Sequence, residues 1–437
     1  MSSLPILLKP LPDEKAAEME LGIGRKTFYR ELQKVEEDVR DIIEKVMEGG
    51  DSALLELTER FDHCRLSQIA VPEMEFQKSW DDVDPVFKRS IEVITAQIRE
   101  FHSNQGQHSW WTFRGPSLLG EIVNPIDSIA TYIPGGRAAY TSSVMMTVIP
   151  AQIAGVKHIQ ILTPPDSSGR VKREVLATAH FLGIHTVYRV GGAQAIAACT
   201  FGTETVPRVN KVVGPGNIYV TVAKKLLSGL VGIDSLAGPS EVLIIADETA
   251  RPDWIALDLL AQAEHDPLSR AILLSQREDV LLAVKKVLER EIQNHPLSFE
   301  KKFPISLFQV ENLDLAFRIA NAIAPEHLEI CCEGSIHHLP SLHHAGAIFF
   351  GNYAPVALGD YGYGPNHVLP TMGGSTFTSP LSVRDFLKTS SFIAPRTGDL
   401  SLCFSPYADL ASREGLYYHQ RSLLAREGKM VMSNEDQ

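Results

Sequence analysis

The chain has 437 residues, 44% hydrophobic and 22% charged, which are the values of an ordinary folded protein, and its length predicts about two to four domains rather than one core. A formal net charge of -12 disfavours binding along a nucleic-acid backbone, which needs clustered Lys and Arg. No stretch approaches the apolar length of a membrane span, and the N-terminal MSSLPILLKPLPDE is too short in its apolar run for a signal peptide, so the cytoplasm is the expected setting. The cysteines Cys64, Cys199, Cys331, Cys332 and Cys403 show no CxxC or zinc-finger spacing; a metal here would need nitrogen and oxygen ligands.

Residues 1–25, rich in Pro and charge, read as an arm. Amphipathic periodicity predicts helices over 35–48 and 86–103, joined by a region of weak strand signals and assigned to the first α/β domain. From about 127 the pattern changes. Short β-branched runs at 128–133, 158–162, 186–190, 211–213, 242–246 and 271–274 alternate with helix-like stretches at 143–156, 171–182, 217–227 and 254–264. The rhythm continues through 305–310, 313–322, 328–331 and 345–350. It predicts crossover units and more than one parallel sheet. The tail from Ser382 is helical in pattern, and its segments 405–415 and 417–426 are too short and polar to form a core alone.

Three Gly-rich turns follow predicted strands: Pro134-Gly135-Gly136, Gly191-Gly192-Ala193-Gln194 and Gly214-Pro215-Gly216-Asn217. A tight turn needing positive φ explains any one of them. Three at the carboxyl ends of parallel strands point to a nucleotide crevice, although no GxGxxG occurs and no acidic residue sits at the ribose distance.

A second set of residues is polar. DWIALDLLAQAEHD at 253–266 reads as one helix closed by Pro267, with Gln262 and His265 neighbours on one face. Pro325-Glu326-His327 opens a strand-like run, where an irregular entry can turn carboxylate and imidazole toward one pocket as a general-base pair. The loop from Gly359-Asp360 to Asn366-His367 adds hard metal ligands or hydrogen-bond partners. His337-His338 and His343-His344 are assigned to solvent. Glu414 and His419 are five apart and reach one site only at a helix break near Gly415 or by wrapping around a cavity.

These strings resemble the histidinol dehydrogenase family: TYIPGGRAAYTSSV at 131–144, VGGAQAIAA at 190–198, VGPGNIYVTVAKK at 213–225, AGPSEVLIIAD at 237–247 and AQAEHDP at 261–267. They continue with APEHLE at 324–329, GDYGYGPNHVLPT at 359–371, LSVRDFLKTSS at 381–391 and REGLYYHQRS at 413–422. The match covers roughly the whole chain beyond the arm.

The resemblance implies NAD-dependent four-electron oxidation of L-histidinol, through histidinal, to L-histidine in a homodimer with one zinc per site. Carried over motif by motif, the zinc ligands are Gln262, His265, Asp360 and His419. His327 is the general base and Glu326 activates water. Ser240, His367 and Glu414 match substrate-contacting positions, together with the four ligands and His327, while Tyr132, Gln194 and Asn217 match NAD-contacting ones.

The implied architecture is α/β, with two doubly wound, incomplete Rossmann-like parallel-sheet domains. An N-terminal helical arm spans 1–26; 27–131 and 241–381 form the first domain, with zinc and catalytic residues; 132–240 form the NAD-binding domain; and 382–437 form a swapped helical tail that docks on the partner and completes its site through Glu414 and His419. The alternatives are a zinc- and NAD-dependent alcohol dehydrogenase acting on a sulfonated diol, and a non-catalytic nucleotide-binding relative. A carboxylate at Glu414 would repel a sulfonate, and a dead relative has no chemical reason to keep His327, Glu326 and all four ligands.

Overall fold

The computed structural model describes residues 6–16, 23–115, 117–135, 140–297, 305–395 and 403–426. The chain forms two compact units, one of residues 1–106 and 125–387 and the other of 107–124 and 388–437.

The first unit holds two sheets. One has six strands in the spatial order Ile6–Pro10, Ile305–Gln309, Arg270–Ser275, Glu241–Ala246, His327–Cys331 and Ala347–Phe350, every pair parallel. Its strands are apolar runs because both faces are covered. Val242, Ile244 and Leu273 pack under the helices Pro252–Ala263 and Glu278–Asn294, and Leu243, Ile245 and Ile330 under Leu313–Ile323.

The other sheet is also parallel, in the order Val187–Arg189, His158–Thr163, Ser128–Tyr132, Lys211–Val213, Gly232–Ile233. One face is covered by helices Ile23–Asp62, Gly192–Phe201 and Ile218–Leu227, and the other by Pro85–Ser103, Thr141–Ala154 and Arg173–Phe181. Both sheets are therefore doubly wound; the alternating rhythm predicts crossover units and parallel sheets.

Three expectations are corrected. The segment read as a helical arm contributes the edge strand Ile6–Pro10, in register with Ile305–Gln309. The helices Ile23–Asp62 and Pro85–Ser103, assigned to the first domain, pack on the second sheet, because periodicity shows that a helix has an apolar face but not which sheet it covers. The boundary placed at 131/132 cuts through the strand Ser128–Tyr132, which belongs to the second sheet.

The second unit contains the antiparallel pair Trp110–Arg114 and Ser117–Pro125, joined in one sheet by Leu387–Ala394, and the helices Ser405–Arg413 and Tyr417–Arg426. A strand thus opens the tail read as helical. Tyr407, Leu410, Leu416, Tyr417 and Tyr418 are exposed large side chains on those helices and the turn between them.

Candidate active site

The cluster lies at the amino edge of the six-stranded sheet. His327 is the first residue of its strand and pairs with Val242 on one side and Ala347 on the other. Its ring is 4% exposed and Glu326 is 7% exposed, so the irregular entry after Pro325 buries both side chains, with His327 Nδ1 3.7 Å from Glu326 Oε2.

The wiring fixes protonation. His327 Nδ1 lies 3.1 Å from the backbone oxygen of Glu241. A carbonyl only accepts, so Nδ1 carries the proton and Nε2 keeps the free lone pair. Burial holds the imidazole below its ordinary pKa against the upward pull of Asp360, whose Oδ1 is 3.9 Å from Nε2. His327 is held neutral, with its acceptor atom turned to Asp360.

Glu326 Oε2 accepts from the Ser240 hydroxyl at 2.5 Å and from the Glu241 N–H at 2.9 Å. Burial outweighs these two donors and pushes the carboxyl up to about 8. Ser240 Oγ in turn accepts from Gln262 Nε2 at 2.6 Å. That donation sets the Gln262 amide, whose Oε1 is buried and has no hydrogen-bond partner.

Gln262 occupies the last turn of Pro252–Ala263, whose carbonyl end is favourable to a cation. The helix stops there, ahead of Pro267, so His265 lies past its end and is exposed rather than on the helix face expected for it. It remains close enough to His327 and His367 to act electrostatically on both.

His367 donates from Nδ1 to the Asp360 backbone oxygen at 2.9 Å, leaving Nε2 to accept from the Ser143 hydroxyl at 3.3 Å. Burial lowers its pKa as well. Ser143 sits in the first turn of Thr141–Ala154, which follows the strand Ser128–Tyr132 of the other sheet. The amino edge of one sheet therefore meets the carboxyl edge of the other at this contact.

At that carboxyl edge stand the Gly-rich turns at 191–194 and 214–217, each at a helix N-terminus. Tyr132 is buried, its phenol is pushed up to about 12 by burial, and its oxygen accepts the Gly192 N–H at 3.0 Å. Gln194 is 1% exposed and its Oε1 has no partner. Asn217 caps Ile218–Leu227, its side chain accepting from Tyr219 N and Val220 N. Asn217 is thus first a structural cap, with only its amide N–H group free to reach outward.

Gly214 has φ 105, and a Cβ there would lie 2.3 Å from the Tyr132 carbonyl oxygen. Its own N–H is already taken by Asp234 Oδ2 at 2.7 Å, so it is not among the donors open to a phosphate. Gly136 lies outside the described residues.

The structure thus brings together Ser240, Gln262, His265, Glu326, His327, Asp360 and His367. Glu414 and His419 lie in the second unit, both exposed, on either side of Gly415 at φ 76. Of the two arrangements left open for them, a helix break at Gly415 is the one present.

Zinc takes nitrogen and oxygen donors, and the site holds both types. The Gln262 amide oxygen, buried and without a hydrogen-bond partner, lies at a helix carbonyl end, although no group of three His, Cys, Asp or Glu side chains is arranged to hold a metal among the described residues.

Two contributors escaped the sequence reading. Glu241 wires the base pair through its backbone, and its side chain accepts from Met372 N at 3.1 Å and faces Arg270 at 3.6 Å. Its one signal was a charge opening a continuous apolar run. Ser143 gave none.

A model of the family described as histidinol dehydrogenase matches residues 26–427. Histidinol dehydrogenase of Geobacillus kaustophilus is 44% identical over 407 residues, covering 92% of this chain and 96% of that protein. That of Listeria monocytogenes is 43% identical over 400 residues, covering 90% and 93%. The crystal structure of histidinol dehydrogenase from Elizabethkingia anophelis has the same fold, with TM-score 0.85 at 30% identity over 98% of this chain and 99% of that one. Since the matched segment takes in the five-stranded sheet, five of the six strands of the other, Glu326 and His327, and the tail helices, the chain belongs to the histidinol dehydrogenase family, NAD-dependent oxidoreductases of histidine biosynthesis.

Proposed function

We propose that this protein oxidises L-histidinol to L-histidinal and then to L-histidine with two NAD per turnover, His327 acting as general base and Glu326 as the group that activates water. The observation that carries this reading is the locked tautomer of His327: its Nδ1–H is held by the Glu241 carbonyl, so Nε2 is the one atom of the ring able to take the alcohol proton.

In the first step the proton of the substrate hydroxyl passes to His327 Nε2 as the hydride leaves its carbon for NAD. In the second, Glu326 accepts a proton from the water that adds to the aldehyde, and the hydrate gives its hydride to a second NAD. A carboxyl poised near 8 changes charge within the range where one group must both take and return a proton. The Ser240 hydroxyl and the Glu241 N–H hold the ionised form.

The side chains that would hold zinc are Gln262 through Oε1, His265, Asp360 and His419, the last from the second subunit of a homodimer. Bound there, the ion supplies positive charge that favours the alkoxide and keeps His327 neutral. His367, Glu414 and Ser240 would orient the substrate. Tyr132, Gln194 and Asn217 would line the NAD site, a role supported by the orphaned Gln194 amide oxygen and the helix N-termini beside it.

The sharing of sites between two tails is supported by the exposed apolar side chains of Ser405–Arg413 and Tyr417–Arg426 and by the exposure of Glu414 and His419. The domain roles follow: the six-stranded sheet carries the chemistry and the five-stranded sheet NAD.

The deciding experiment measures NADH formed per molecule consumed, with the product identified. Two NADH per L-histidinol with L-histidine as product supports the proposal. Turnover of a sulfonated diol with histidinol untouched would replace it.

A further inference from the structure

Two carboxyl groups lie beneath the site, Glu329 buried and Asp258 half-buried, and no step above uses them. Glu329 is 1% exposed and stands two residues after His327 in the same strand, hence on the same face. Asp258 precedes Gln262 by four residues in Pro252–Ala263, hence one turn away on the same helix face. The layer they share is filled by Ile244, Cys331, Leu259 and Phe349.

Glu329 Oε1 accepts from the Cys331 thiol at 3.2 Å, while Oε2 meets no N–H or O–H donor. The side chains of Asp258 and Glu329 are hydrogen-bonded to each other. Two carboxyl groups make that bond only if one keeps its proton. Among the described residues, the titratable groups that bear on the pair are each other and Cys331, and none of them is a cation. Burial pushes Asp258 up to about 6 and Glu329 well above the glutamate range, so the shared proton is retained. Replacing buried ionisable groups by an apolar pair of similar volume is often neutral or stabilising, so stability alone does not call for two acids.

We propose that the Asp258–Glu329 bridge is a positioning device that fixes the helix carrying Gln262 against the strand carrying His327. The bridge sits one helical turn, about 5.4 Å, from the first and two strand residues, about 6.6 Å, from the second. A shift at the bridge is therefore passed to a metal ligand and to the base together. The inference rests on the roles given above to Gln262 and His327.

The test uses the zinc-loaded full-length protein and three variants. In Glu329→Gln the amide donates to Asp258 without a shared proton and its oxygen still accepts from Cys331. The double substitution Asp258→Leu with Glu329→Leu removes the bridge and keeps the layer filled, and Asp258→Asn serves as a second conservative change should the double variant fold poorly. The readouts are kcat against pH, the rate of zinc release to a chelator, NAD affinity and thermal midpoint.

The double leucine protein is expected to fold with an unchanged or higher midpoint and normal NAD affinity, yet to release zinc and turn over less well by about 10- to 100-fold. Glu329→Gln is expected to keep kcat and to lose the part of the alkaline decline that comes from ionising the pair. A folded double variant with parental kcat and zinc release overturns the proposal, as does a Glu329→Gln or Asp258→Asn pH profile identical to that of the parent. Should the parent leave histidinol untouched, the functional reading fails, and zinc release alone then decides for or against the bridge.

Discussion

Replacing Lys224 by Met should destabilise the protein severely and weaken NAD binding through one ion pair. Lys224 Nζ donates to Asp234 Oδ1 at 2.7 Å and to the Gly214 carbonyl at 2.6 Å, and the two side chains are only 3% and 4% exposed. Asp234 Oδ2 holds the N–H of the same glycine. The pair thus grips both backbone atoms of the turn that leads to Asn217. Met fills the Lys stem but leaves the Asp234 charge buried with one hydrogen bond, an error that costs about 3–5 kcal/mol. At about 2–4 °C per kcal/mol for a domain of this size, the thermal midpoint should fall by about 6–20 °C.

Scanning calorimetry at neutral pH measures the fall, and an NAD titration of the surviving fold should show a raised KM at nearly unchanged kcat. Adding Asp234→Asn to Lys224→Met removes the stranded charge while an amide oxygen still accepts from Gly214, so much of the midpoint should return. A midpoint for Lys224→Met within about 1 °C of the parent, or a double variant no better than the single, would refute the reasoning.

Removing divalent metal with a chelator should abolish NADH formation, and zinc should restore it; full activity in metal-free protein would remove the zinc ligands from the mechanism. His327→Ala should lower turnover by about two to four orders of magnitude with NAD binding intact, and mixing it with His419→Ala subunits should recover activity in heterodimers. No recovery after verified mixing would argue against sites shared between subunits.

Asp62 Oδ2 is buried with no partner, and burial raises the carboxyl from 3.8 to about 6. The unfolded chain therefore ionises first, and stability is lost as pH rises from about 4 to about 6. Asp62→Asn should raise the thermal midpoint at pH 7.5 and leave it unchanged at pH 4; an equal shift at both would count against burial as the cause.

The strands of both parallel sheets were readable because each is buried on two faces and so appears as an unbroken apolar run: the runs at 211–213 and 242–246 match Lys211–Val213 and Glu241–Ala246 to within a residue. The strands that escaped are those without such a face. Every residue of Trp110–Arg114 is exposed, and Ile6–Pro10 pairs with a segment about three hundred residues away. At the site, residue types in short strings pointed to Gln262, Glu326, His327 and Asp360, while a break near Gly415 was one of two arrangements that the spacing of Glu414 and His419 left open. What the residues could not show was their wiring. The Glu241 carbonyl that selects the His327 tautomer is a backbone atom, the same in every residue, and only the pairing of two strands brings it there. Of the histidines assigned to solvent, His337 and His343 are exposed, but His338 stacks on Phe317 with ring centroids 4.3 Å apart.

The strand Ile6–Pro10 also governs how the protein behaves in handling. It lies along Ile305–Gln309, four of whose five residues are fully buried. Trimming the first ten residues would leave that strand with a bare row of backbone donors and acceptors, flat, apolar and without a charge to deter another chain. A shortened protein should therefore self-associate while the distant residues proposed for catalysis stay intact, and loss of solubility on N-terminal processing would report an uncovered sheet edge rather than a damaged site.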